Sequence, residues 1–252
     1  MGILSAKGYQ ELMMRRFTNQ GPNPNSSALP VVDSRSVHER VYDEIRIGLS
    51  QGAFAEGQAL TIRGLATAFG TSEMPVREAI KRLVAEKYIV QLGNRGFQVP
   101  QLSSEAFRDV ISVRVKLEGF AAALAASKST PQVIRRLHDV NDQMREAVEA
   151  RDTRNILRLN EEFHFKVYSI TGSETLLDTI EMLWSRSGPY LATVISMDDR
   201  LSVFSKASEM HDAIISAIEA SDPTGAEETL VADINFAVEW YEKQRSTVTE
   251  KH

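Results

Sequence analysis

Apolar residues recur at helical spacing along most of the chain, and one short interruption breaks the rule. Val37, Val41, Ile45 and Leu49 form a stripe that ends at Gly52, which predicts a helix over 37–52. After it, Thr61 can cap a helix whose Ile62, Leu65, Ala66 and Phe69 share one face, and Gly70 ends it. Ser72 can cap the next helix, with Pro75 in its first turn, where a missing N–H costs nothing. There Val76, Ile80, Leu83 and Val84 fall on one side, and Arg77, Lys81 and Arg82 on the other. The period then shortens. Residues 88–90 and 96–99 read as two strands joined across Gly93-Asn94-Arg95-Gly96. From Ser103 onward only helical periods return: 103–127, 131–150, 152–170, 173–185, a short helix after Pro189, 202–221, and a last one opened by Asp222-Pro223. The fold class predicted is mainly α, ending in an all-helical C-terminal bundle of six or seven helices.

Two short helices around a tight turn, followed by a ribbon with a basic tip at Arg95, make a winged helix-turn-helix. Its second helix suits the major groove of DNA, and its wing suits the flanking minor groove or backbone. The plainer alternative is a packing module with a solvated basic face. Three segments follow: an extension over 1–35 whose GPNPNSSALP run is turn-forming, a winged helix-turn-helix over 36–100, and the helical domain over 103–247.

Composition changes this picture in two places. The chain has 252 residues and no cysteine, so disulfides, thiolate metal sites and cysteine nucleophiles are excluded. The net charge of −5 argues at first against nucleic acid, but the distribution corrects that. Residues 36–102 carry 8 basic and 7 acidic side chains, whereas 103–252 carry 17 basic and 25 acidic ones. DNA repels the acidic half and so selects the other. No stretch approaches the roughly 20 apolar residues of a membrane span, and the N-terminus lacks the regions of a secretory signal, so no membrane partner and a cytoplasmic location are expected.

The bundle carries polar residues on apolar helix faces. Asn160 and His164 lie one turn apart on the stripe of Ile156, Leu159, Phe163 and Val167. His211 sits among Ala207, Ile214, Ile215 and Ile218, and Asp233 among Ala226, Leu230, Ala237 and Tyr241. Two buried histidines and a buried aspartate can hold a divalent metal, or form a metal-free hydrogen-bond network. Arg114 can pair with Glu118 one turn on, or clamp the carboxylate of a small effector. Tyr168, Trp184 and Tyr190 are either cavity lining or plain core.

The stretch PVREAIKRLVAEKYIV, followed by a G-x-x-G wing, resembles the DNA-binding domain of GntR-family transcription regulators over residues 36–100. The resemblance implies DNA contacts from Arg63, from Ser72, Glu73 and Met74, from Arg77, and from Gly96. The family usually has arginine after the capping serine. Glu73 stands there instead, so a different operator is expected. Residues 113–241 resemble the FCD effector domain of the FadR subfamily through R-x-x-L-E at 114–118, Phe163-His164, and His-x-x-I-x-x-A-I from His211. Many members bind a metal at positions that correspond to Asn160, His164, His211 and Asp233. Asparagine and aspartate here replace the family's aspartate and histidine. The resemblance implies a divalent metal (Zn, Ni or Mn), a small organic-acid effector, a homodimer, and operator DNA with a short inverted repeat, often under repression. The expectation is a DNA-binding transcription regulator and not an enzyme. Its competitors are a metal-dependent hydrolase with an accessory DNA-binding domain and a metal sensor.

Overall fold

The computed structural model describes residues 36–93 and 96–249. The expectations for the 1–35 extension and for Arg95 lie outside the described residues. From Val37 onward the chain forms one compact unit that contains two apolar cores.

The smaller core belongs to a winged helix-turn-helix. Helix α1 (Val37–Ser50) buries Val41, Ile45 and Leu49. Strand β1 (Ala59–Leu60) follows, then α2 (Ile62–Ala68) and α3 (Glu73–Ala85). The Thr61 hydroxyl caps α2 by accepting from the Gly64 N–H at 3.0 Å. Gly70 makes the turn at φ +62°, a left-handed conformation that favours glycine. Ser72 occupies the N-cap position of α3 but makes no capping hydrogen bond. Val76, Ile80 and Leu83 are fully buried against α1, each contributing on the order of 1.5–3 kcal/mol.

The wing is shorter than the sequence suggested, and it has a third strand. β2 (Val90–Gln91) and β1 both pair antiparallel with β3 (Phe97–Gln98), giving the order β1-β3-β2. β1 escapes a pattern search because two residues are too few to show alternation. Tyr88 and Ile89 are buried just before the ladder begins.

Seven helices enclose the larger core: α4 (Ser104–Lys128), α5 (Pro131–Glu149), α6 (Thr153–Ser169), α7 (Glu174–Ser187), α8 (Pro189–Met197), α9 (Ser202–Glu219) and α10 (Pro223–Thr249). Ser103, Thr130, Asp152 and Ser173 each cap the helix that follows by accepting a backbone N–H. Helix α4 is central and touches α6, α7, α9 and α10. Its Ala121, Ala122, Ala125 and Ala126 are buried, and at Gly119 a Cβ would stand 3.0 Å from Val231 of α10. Small residues thus allow α4 and α10 to approach closely. Phe163, Trp184, Ile214 and Leu230 fill the space between the helices.

Candidate metal centre and DNA face

Three helices converge on one polar cluster inside the larger core. His164 from α6, His211 from α9 and Asp233 from α10 are all buried. Each offers a ligand atom, and these atoms lie within 4.8 Å of one another. His164 Nε2 is 3.3 Å from an Asp233 carboxylate oxygen. His211 Nε2 is buried and has no hydrogen-bond partner. Burial holds the His211 pKa well below that of a free imidazole, and neighbouring His164 and Arg145 lower it further, so the ring is neutral near pH 7. A neutral, unpartnered imidazole nitrogen beside a carboxylate is a ligand set that fits a divalent cation. Asn160 lines the same small cavity, about 30 Å³, together with Arg114, Trp184, Tyr190, Leu191 and Phe204.

Behind each histidine stands a hydrogen-bond chain. The His164 Nδ1 is 3.1 Å from the Tyr168 hydroxyl, which donates to Glu118. Glu118 also accepts from Trp184 Nε1 at 2.9 Å and from Arg114 Nε at 2.6 Å. His211 Nδ1 is 3.1 Å from Asn141 Oδ1, and its ring stacks on Phe163 at 3.8 Å between centroids. Arg114 therefore does what its spacing allowed: it pairs with Glu118 one turn on, stacks over Trp184 at 4.5 Å, and still forms part of the cavity wall. Burial raises the Tyr190 pKa to about 12, so its hydroxyl stays protonated. Asn141 joins this network although it is not among the polar residues named above from the pattern of apolar faces. The signal was present, since it lies on the face of Leu137, Val140 and Met144, the same kind of mismatch that flagged Asn160.

The head presents Arg63, Ser72, Glu73, Met74 and Arg77 to solvent. Met74 is 65% exposed, an unusual setting for a large apolar side chain at the start of a helix. The Glu73 carboxylate lies 3.7 Å from the Arg77 guanidinium, one turn on. Gly96 holds φ +111°, which only glycine adopts readily, at the entry to β3. Arg82, by contrast, pairs with Glu86 at 2.9 Å and lies over the Tyr42 ring at 3.9 Å, so it serves the head's own packing.

Head and bundle meet through polar contacts between buried or nearly buried groups. Arg46 of α1 pairs with Glu181 of α7 at 2.9 Å. Burial opposes the Arg46 charge, but Glu181 more than offsets this and its pKa is raised. Glu161 of α6 accepts from the Ser50 hydroxyl and from Gln51 Nε2, the latter at 2.6 Å. The Tyr241 hydroxyl of α10 donates to Glu56. Gly188, between α7 and α8, faces the end of α1 so closely that a Cβ would stand 2.7 Å from the Ser50 carbonyl oxygen. No pattern within the sequence could have flagged Glu161, whose partners lie 110 and 111 residues away.

Comparison with known proteins agrees with this architecture. Residues 37–99 match the domain described as "Bacterial regulatory proteins, gntR family", and residues 109–236 match the FCD domain. The chain is 28% identical to the HTH-type transcriptional regulator McbR of Escherichia coli over 82% of its own length and 94% of that protein's. It is 29% identical to a probable D-xylose utilization operon transcriptional repressor of Paenarthrobacter nicotinovorans, over 77% of this chain and 84% of that one. The solved structure of E. coli McbR/YncC superposes with a TM-score of 0.78 at 27% identity, covering 84% of this chain and 99% of that one. Among the described residues no helix is long and apolar enough to cross a membrane. The chain belongs to the gntR family of bacterial regulatory proteins, with an FCD domain following its winged helix-turn-helix head.

Proposed function

We propose that this protein is a transcription regulator that binds operator DNA through its head and is controlled by a small carboxylate in the bundle. Arg63 and Arg77 read or clamp the DNA, with Ser72, Glu73 and Met74 at the base edges and Gly96 in the wing, and the neighbouring Arg95 adds a further contact. His164, His211 and Asp233 hold a divalent cation, with Asn160 beside them. Bound there, the cation supplies a positive, Lewis-acidic point that attracts an anion. Arg114 lines the same cavity.

The observation that carries effector control is the shared wall between cavity and head. Helix α8 contributes Tyr190 and Leu191 to the cavity, while a Cβ at Gly52 would stand 2.9 Å from the Ala192 backbone nitrogen of the same helix. On α6, Asn160 lines the cavity and its neighbour Glu161 holds Ser50 and Gln51. A cavity of about 30 Å³ accommodates little more than a water molecule. An organic acid must therefore displace the wall, and the wall bears the head. Binding that favours one arrangement of the wall then biases the head, which is what linkage between two sites requires.

The reading includes a homodimer on an inverted repeat. Val113 and Phe120 support it: they are 41% and 53% exposed and lie two turns apart on one side of α4, large apolar side chains of the kind that subunit contacts cover. The test is selection of an operator from a random DNA library, followed by a titration of that complex with a panel of organic acids, with and without Zn²⁺, Ni²⁺ or Mn²⁺. Release by an acid only when metal is present supports the reading, and release by metal alone makes the metal the signal. A chain that selects no sequence refutes it.

A further inference from the structure

We infer that Asn141 and Tyr168 are positioning residues that fix both ligand histidines with the proton on Nδ1, so that two bare Nε2 lone pairs face Asp233. This rests on the reading of the cluster as a cation site, but it is carried by the hydrogen bonds behind the rings.

The first chain begins at an ion pair between Arg145 and Asp212. The Asn141 amide nitrogen is 2.9 Å from Asp212 Oδ1 and 2.9 Å from the Ser208 carbonyl oxygen. Both partners are acceptors without a hydrogen, so the amide has one orientation, with its NH₂ toward them. Its oxygen must then face His211 Nδ1 at 3.1 Å. An amide oxygen only accepts, so Nδ1 carries the hydrogen. Nε2 of the neutral ring is left with a lone pair, which matches its burial without a hydrogen-bond partner. Phe163, stacked at 10° between ring planes, keeps the imidazole from turning.

The second chain has the same logic with different groups. Arg114 pairs with Glu118, whose carboxylate also accepts from Trp184. The Tyr168 hydroxyl has a single hydrogen and spends it on Glu118. Toward His164 Nδ1, 3.1 Å away, the phenol oxygen can only accept. His164 therefore also carries its hydrogen on Nδ1, and its Nε2 lone pair lies 3.3 Å from the Asp233 oxygen. A lone pair against a carboxylate is repulsive unless a cation stands between or beside them. Each arm thus runs from an arginine–carboxylate pair, through a group that can both donate and accept, to a nitrogen ready to ligate. Outer partners of this kind fix tautomer and ring orientation, and losing one costs about 10–100-fold in metal affinity.

The test uses the full chain stripped with EDTA and labelled with ¹⁵N-histidine. Two-bond ¹H–¹⁵N correlation spectra near neutral pH report the tautomer of each ring, and His164→Ala and His211→Ala assign the signals. Both rings are expected to show a protonated Nδ1 and a bare Nε2. In Tyr168→Phe only His164 is expected to lose that preference, and in Asn141→Leu only His211. Each variant is expected to bind Zn²⁺ about 10–100-fold more weakly by calorimetry. A parent protein with hydrogen on Nε2 of either ring, or a His164 imidazolium paired with Asp233, overturns the inference without any variant. Unchanged tautomers in both folded variants overturn it as well. Tautomers as expected in a parent that binds no Zn²⁺ support the positioning role and refute the cation site.

Discussion

Replacing Glu181 by glutamine should loosen the head from the bundle and destabilise the protein measurably. The side chains of Arg46 and Glu181 are 17% and 11% exposed, and their charged atoms are 2.9 Å apart. Arg46 Nε is buried and already lacks a hydrogen-bond partner. Removing one member of a fully buried pair costs about 3–5 kcal/mol, because the remaining charge is stranded. Partial exposure lets water recover some of that, and glutamine keeps the shape and an acceptor, so about 2 kcal/mol is expected here. At roughly 2–4 °C per kcal/mol for a chain of this size, the thermal midpoint should fall by about 4–8 °C. Thermal and urea unfolding of Glu181→Gln, Arg46→Met and the double variant complete the cycle. The double variant should recover much of the loss, since it removes the stranded charge along with its partner. A single variant within 0.5 kcal/mol of the parent, or losses that simply add, would falsify the coupling of α1 to α7 through this pair.

Three further outcomes follow from the same structure. Arg63→Ala and Arg77→Ala should each weaken operator binding by about 1–3 kcal/mol with unchanged circular dichroism, and unaltered affinity in both removes the docking geometry. Glu73→Arg should change which sequence a random library yields if the first turn of α3, where Glu73 lies beside Arg77, enters the groove as proposed. Uniformly tighter binding to all DNA, with a steeper salt dependence, would instead make it a mere phosphate repellent. Phe120→Asp should convert a dimer to a monomer in light scattering, and a dimer that survives locates the subunit contact elsewhere.

The helices were legible because their stripes and caps are local. Thr61 caps where its chemistry suggested, and the helices that Ser103, Asp152 and Ser173 cap begin within a residue of where their stripes predicted. His164, His211 and Asp233 were legible as a group because each breaks an apolar face, and three such breaks need each other inside a core. Arg114 could be narrowed only to two roles, since its spacing to Glu118 says nothing of the cavity it borders. The partnership of Arg46 with Glu181, and of Glu161 with Ser50 and Gln51, was invisible. Those side chains lie on helix faces that look solvated in sequence and become buried only when head and bundle dock.

Everything proposed for the bundle depends on the two histidines and Asp233 forming a cation site. Calorimetric titration of the EDTA-stripped full chain with Zn²⁺, Ni²⁺ and Mn²⁺, beside His211→Ala, tests it most directly. The parent is expected to bind one ion per chain with a raised thermal midpoint, and the variant to show neither. No ion bound by the parent, with His211→Ala as stable as the parent, would contradict it and leave the cluster a buried hydrogen-bond network.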